Sequence, residues 1–162
     1  MEAYKVPKQR ARVTVAWPVG EPESGSVFLS ACADRHQGAE TVHDLFSRAE
    51  PFLPAILERR GFLLLRKDRL AWVRVEEPEA AEWHYLEQRA GAPRAVIRCR
   101  FADGSALEGE VWALTPPGEQ RVVDVINRAE GFLHLQGDDG LYLINLRQVT
   151  AVEVVEEHRG EP

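Results

Sequence analysis

Cys32, Asp34, His36 and His43 fall within twelve residues, and thiol, imidazole and carboxylate groups are the usual ligands of zinc. Their order, C-x3-H-x6-H, matches no common zinc spacing, and a matching stretch later in the chain has none of it, so they are read as a solvated loop. His84, His134 and His158 are scattered and share no motif. Asp44, Arg48 and Glu50 recur as Asp124, Arg128 and Glu130. Such a set could bind a ligand twice over, but a helix cap and an i,i+4 Asp–Arg pair account for it without one. No G-x-S-x-G elbow, Walker loop or G-x-G-x-x-G fingerprint occurs, and Ser24 and Ser26 flank Gly25 with no identifiable catalytic partner. Arg94-Ala-Val-Ile-Arg98 fits the first half of a cyclic-dinucleotide signature, but Glu108 stands where its second half needs glycine. No catalytic, metal or cofactor-binding residue is therefore expected, and no enzyme.

The recurrence of Asp44, Arg48 and Glu50 belongs to a wider pattern. Val42 to Leu53 laid over Val122 to Leu133 gives seven identities in twelve positions without a gap. Upstream, Trp17, Gly20, Gly25, Val27 and Phe28 fall on Phe101, Gly104, Gly109, Val111 and Trp112. Downstream, after a one-residue deletion, Gly61, Leu64, Val73 and Val75 fall on Gly140, Leu143, Val152 and Val154. Residues 13–77 and 97–156 thus read as two copies of one unit, differing in length mainly at residues 30–41, where a surface loop is expected.

Each copy is then read with doubled information. Val13 to Trp17 and Ile97 to Phe101 alternate apolar and polar residues, the pattern of a half-buried strand. A Gly-containing turn and a second strand through Val27-Phe28-Leu29 or Val111-Trp112-Ala113 follow. The matched block has apolar residues at helical spacing, with Thr41 as N-cap, and ends near Pro51 or Gly131. Phe52-Leu53 and Phe132-Leu133 begin a short strand, which predicts equivalent buried sites for Phe52 and Phe132. Phe62 to Leu65 and Leu141 to Ile144 are further strands, and polar turns at 66–69 and 145–148 lead to last strands at 70–75 and 149–154. The fold class expected is mainly β with short helices: two tandem small β-barrel units. The predicted organisation is a basic tail at 1–12, repeat 1 at 13–77, a linker helix at 78–96, repeat 2 at 97–156 and a tail at 157–162. Pro78 suits the first turn of that helix and Gly91 its C-terminal cap, with Trp83, Leu86 and Ala90 on one face.

Phe101-Ala-Asp-Gly104, Gly109-Glu-Val111 and Leu141 to Asn145 carry a resemblance to the Sm-like and SH3-like small barrels. The helix lies inside the strand order here, whereas Sm proteins place theirs before the first strand. A closer similarity is to a bacterial family of small β domains, carried by Asp44-Leu45-Phe46, Pro51 to Pro54, Asp124 to Asn127 and Leu143 to Asn145. That resemblance implies a fold and no activity; the Sm likeness implies nucleic-acid binding.

Charge weighs against the latter. Of the net charge of −6, residues 97–156 carry five basic and ten acidic side chains, a poor surface for tracking phosphates. The absence of a leader-like apolar stretch after Met1 and of any run near the roughly 20 apolar residues a membrane span needs suggests a cytoplasmic protein. Cys32 and Cys99, unaligned between the copies, are read as isolated thiols. The expected role is a non-enzymatic protein-interaction or scaffold module, self-association included, with Sm-like nucleic-acid binding as the alternative. Candidate contact residues are those where the copies disagree. Trp72 aligns with Ala151, and Arg59-Arg60 with Asp138-Asp139, a turn of opposite charge in the two copies.

Overall fold

A computed structural model describes residues 8–30, 40–76 and 87–158. The chain is mainly β. The first half runs β1 (Lys8–Ala16), β2 (Glu23–Ser30), α1 (Val42–Phe46), β3 (Phe52–Leu57), β4 (Gly61–Arg66), a 3-10 turn at Lys67–Arg69 and β5 (Trp72–Val75). The second half repeats the order with β6 (Arg94–Phe101), β7 (Ala106–Trp112), α2 (Val122–Arg128), β8 (Phe132–Gly137), β9 (Gly140–Asn145), a 3-10 turn at Leu146–Gln148 and β10 (Val149–His158).

The ladders join into one open antiparallel sheet, ordered β10-β6-β7-β8-β9-β5-β1-β2-β3-β4. Each half contributes its strands in one spatial order: fifth, first, second, third, fourth. Alternation makes the strands: β2 buries every second residue, and β6 buries Ala95, Ile97, Cys99 and Phe101 on one face. Gly25 and Gly109, aligned in sequence, sit where the second strand of each half crosses the third. A Cβ on Gly25 would lie 2.2 Å from the Ile56 carbonyl oxygen, and one on Gly109 2.5 Å from that of Gln136. Only glycine permits that approach.

Several bounds differ from expectation. Lys8 to Arg12 are part of β1, paired with β2 from Lys8↔Ser30 onward, and not a tail. Arg10 and Arg12 occupy the exposed face while Ala11 is buried, so their charge masks a strand. The third strand is longer than Phe52-Leu53 suggests, because Pro54 lies inside it, paired with Leu64. Most of the linker helix, with Trp83, His84 and Leu86, lies outside the described residues, as do Cys32, Asp34 and His36. Glu87 and Gln88 are helical, and Gly91 has the positive φ of 76° that its capping role predicts.

Two clusters of buried side chains form the core, and each crosses between the halves. The first half's cluster, built on Val13, Val15, Val27 and Leu45, includes Phe132 and Leu143 from the second half. The second half's cluster, around Ile97, Val111 and Leu135, includes Ala71 and has Trp72 packed against it.

Candidate interaction surface

The strands that join the halves show what an end of this sheet can bind. β5 pairs with β9 as Trp72↔Ile144, Val73↔Leu143, Arg74↔Tyr142 and Val75↔Leu141. Around this ladder the Phe132 ring meets Phe46 of α1 edge-on at 5.4 Å, and Trp72 meets Tyr142 edge-on at 5.1 Å. His43 Nε2 lies 3.1 Å from the Phe132 carbonyl oxygen, and the His43 and His134 rings stack at 4.3 Å. Burial holds His134 neutral, drawing its pKa from 6.5 down to about 4, with Arg89 adding to the effect and Asp44 opposing it. Asn145 is buried and donates its amide to the Leu70 and Asp68 carbonyls at 2.8 and 3.1 Å. At the rim, Arg74 donates to Asp139 at 3.2 Å, and the Tyr142 hydroxyl donates to the same carboxylate at 2.8 Å.

The ends of the sheet carry the sequence counterparts of these groups, with no neighbouring strand among the described residues. β4, the counterpart of β9, exposes Phe62 by 67% and Leu64 by 59%, and beside it Phe52 on β3 is 48% exposed. Their counterparts Leu141, Leu143 and Phe132 are all buried in the seam. Phe52 and Phe132 therefore do not occupy equivalent buried sites. Phe132 packs into the first half's buried cluster against Phe46 of α1, whereas Phe52 is 48% exposed. At the far end, β10 and α2 expose Val154 and Val123, by 50% and 52%. Val123, Ile126, Val152 and Val154 line one apolar groove there.

The candidate contact residues divide between these places. Trp72 and Asp139 lie in the seam. Asp138 sits beside Asp139 in the exposed turn between β8 and β9. Arg59 and Arg60 form the corresponding turn before β4, where Arg60 pairs with Glu23 at 3.0 Å and stacks over Trp17 at 5.1 Å. Sequence reasoning named the divergent turn but missed Phe52, Phe62, Leu64 and Val154, which lie in apolar strand runs, and Val123, which aligns with His43. Had the pairing of β5 with β9 been known, their alignment with seam residues would have identified them.

The polar residues that recur in the alignment do local work. Thr41 Oγ1 accepts from the Asp44 amide at 3.0 Å, and Asp44 accepts from the Thr41 amide at 2.9 Å, closing a capping box. Asp124 accepts from the Arg121 amide at 3.2 Å and from its side chain at 3.0 Å, which holds the Asp124 carboxyl below its ordinary pKa. Arg48 pairs with the buried Glu40, and Arg128 with Glu119 at 2.6 Å, so both arginines reach carboxylates just ahead of their helices. Cys99 is a free thiol, buried, with its pKa pushed up to about 11, far from the thiolate a nucleophile needs.

No helix among the described residues is long and apolar enough to cross a membrane. No protein family, curated protein or solved structure matches the chain.

Proposed function

We propose that the chain is a non-enzymatic protein-interaction or scaffold module built from two duplicated small barrel-like units, working by strand addition at the edges of its sheet. The observation that carries it is β4: a strand with no second neighbour among the described residues, whose Phe62 and Leu64 face solvent, while the aligned residues of β9 are buried. Soluble proteins usually blunt such an edge with charge, proline or a cover, because unpaired N–H and C=O groups beside apolar side chains recruit another strand. An edge left apolar is a binding surface.

Many of the basic residues that could track a phosphate backbone are already satisfied by carboxylates. Arg98 pairs with Glu108 and Glu153, Arg94 with Glu110, and Arg12 with Glu58. That favours a protein ligand over nucleic acid.

Affinity capture from nuclease-treated cell extract tests the reading when wild type is compared with Phe62→Lys and Leu64→Lys. Both side chains already face solvent, so the variants should fold and yet lose specifically captured protein. An identical captured set from all three proteins would remove the edge from consideration, and tight, salt-sensitive binding of single-stranded RNA in anisotropy would favour the nucleic-acid alternative.

A further inference from the structure

We infer that the strand received by the β4 edge is β10 of a second copy of this chain, so that copies join head to tail by repeating the seam already present between β5 and β9. The inference rests on the duplication and edge-binding reading above, and names the partner.

The intramolecular seam provides the template. In it, the fifth strand of one half receives the fourth strand of the other, together with the phenylalanine that opens the third strand. Both partners recur at opposite ends of the sheet, unjoined among the described residues. Transposing the β5–β9 register through the sequence alignment predicts Ala151↔Leu65, Val152↔Leu64, Glu153↔Leu63 and Val154↔Phe62. Phe132, the knob of the internal seam, packs on α1 against Phe46. Its counterpart Phe52 is exposed, and the counterparts of Phe46 and His43 are Ile126 and Val123, which line the open groove beside Val152 and Val154. The knob and its groove thus stand at opposite ends of one molecule, the geometry of a heterologous interface.

The charges make the same assignment. In the internal seam Arg74 meets Asp139 at 3.2 Å. The counterpart of Arg74 is Glu153, and that of Asp139 is Arg60, so the second seam would carry the same pair with its signs exchanged. Joining two first halves this way would oppose Arg74 with Arg60, and joining two second halves would oppose Glu153 with Asp139. The pattern therefore favours alternation of first and second halves along the assembly. Asp139, occupied inside its own chain, is not the intermolecular partner of the Arg59-Arg60 turn; Glu153 is. Forming the contact asks Arg60, now on Glu23, and Glu153, now on Arg98 and Arg100, to share or exchange partners. It also places Arg66 where the internal seam has Asn145, so that corner of the second seam must differ.

The test is the molar mass of purified full-length protein, by light scattering at about 100 μM and low salt. Wild type should form multiples of the chain, discrete if the path closes into a ring and a concentration-dependent ladder if it does not. Arg60→Asp and Glu153→Arg should each raise the concentration for half-assembly about tenfold or more, since each sets like charges across the seam. An equimolar mixture of the two variants should assemble as wild type does, because each β4 edge then meets a β10 of opposite charge. That rescue requires both variants to be folded. Leu64→Lys, at a solvent-facing position, should also yield monomers. A wild type that stays monomeric overturns the inference, as does a dimer that the mixture fails to restore. If wild type is monomeric while Phe62→Lys and Leu64→Lys still lose captured protein from extract, edge binding stands and only the self-partner is excluded.

Discussion

β9 and β4 are related in sequence and opposite in circumstance. Both open on glycine after a two-residue turn of like charges, and both run through four apolar residues, Leu141 to Ile144 and Phe62 to Leu65. β9 lies between β8 and β5, and its faces are buried in the two core clusters, Leu143 in one and Tyr142 and Ile144 in the other. In β4 the side away from β3 has no neighbour among the described residues, and only Leu65 of the four is fully buried. The difference lies in the neighbour. A run apolar on both faces is the signature of a strand covered on each face, so β4 has the sequence of a doubly covered strand at the edge of a sheet.

The largest expected effect breaks that comparison energetically. Leu143→Ala should cost about 2–5 kcal/mol of stability, because it opens a cavity in the cluster shared by both halves. Leu64→Ala in dilute, monomeric protein should cost under about 0.5 kcal/mol, the range for a solvent-facing change. Urea melts of the two variants give the contrast directly. Equal losses would mean that β4 is covered within its own chain.

A middle-sized effect is expected from Asn145. Its two side-chain bonds to the Leu70 and Asp68 carbonyls cross between the halves in a buried corner. Asn145→Ala leaves those carbonyls without these partners and should cost about 1–3 kcal/mol. At the counterpart position, Arg66 bonds Asp68 in the open, and Arg66→Ala should be nearly neutral in the monomer. Similar melting shifts for the two would show that the Asn145 corner is not specially held.

How much of this was legible follows from which contacts are local. The strands, the capped helices and the 3-10 turns reflect alternation, Thr41 and Asp44, and short polar runs, all within a few residues of each other. Aligning the two halves of the sequence sharpened them. The seam between β5 and β9 is a contact across nearly seventy residues of chain, and nothing in either strand names the other. Its only trace was disagreement between the aligned halves: Trp72 against Ala151, and Arg60 against Asp139. Such divergence marks a position whose surroundings differ, which periodicity within one copy cannot reveal. Phe52 failed as a core residue for the same reason, since half of its environment was assumed from Phe132.

The smallest effect concerns protons at the same seam. His134 and His43 stack where the halves meet, and their counterparts, Pro54 and Val123, cannot titrate. In the folded chain the His134 pKa lies near 4, against 6.5 for an unperturbed histidine, so between these values the unfolded chain binds the extra proton. Stability should therefore be fully present above pH 6.5 and fall as the pH drops toward 4. His43, Arg89 and Asp44 share this corner, and the last of these favours the protonated form, which moderates the loss. A decrease of at most about 2 kcal/mol between pH 7 and pH 5 is expected from this site. Other groups titrate over the same range, so the measurement is a difference. Urea midpoints at pH 7 and pH 5 are compared for wild type and His134→Gln, and the variant should lose less on acidification. Parallel losses would place the acid sensitivity elsewhere and leave the histidine pair a packing contact alone.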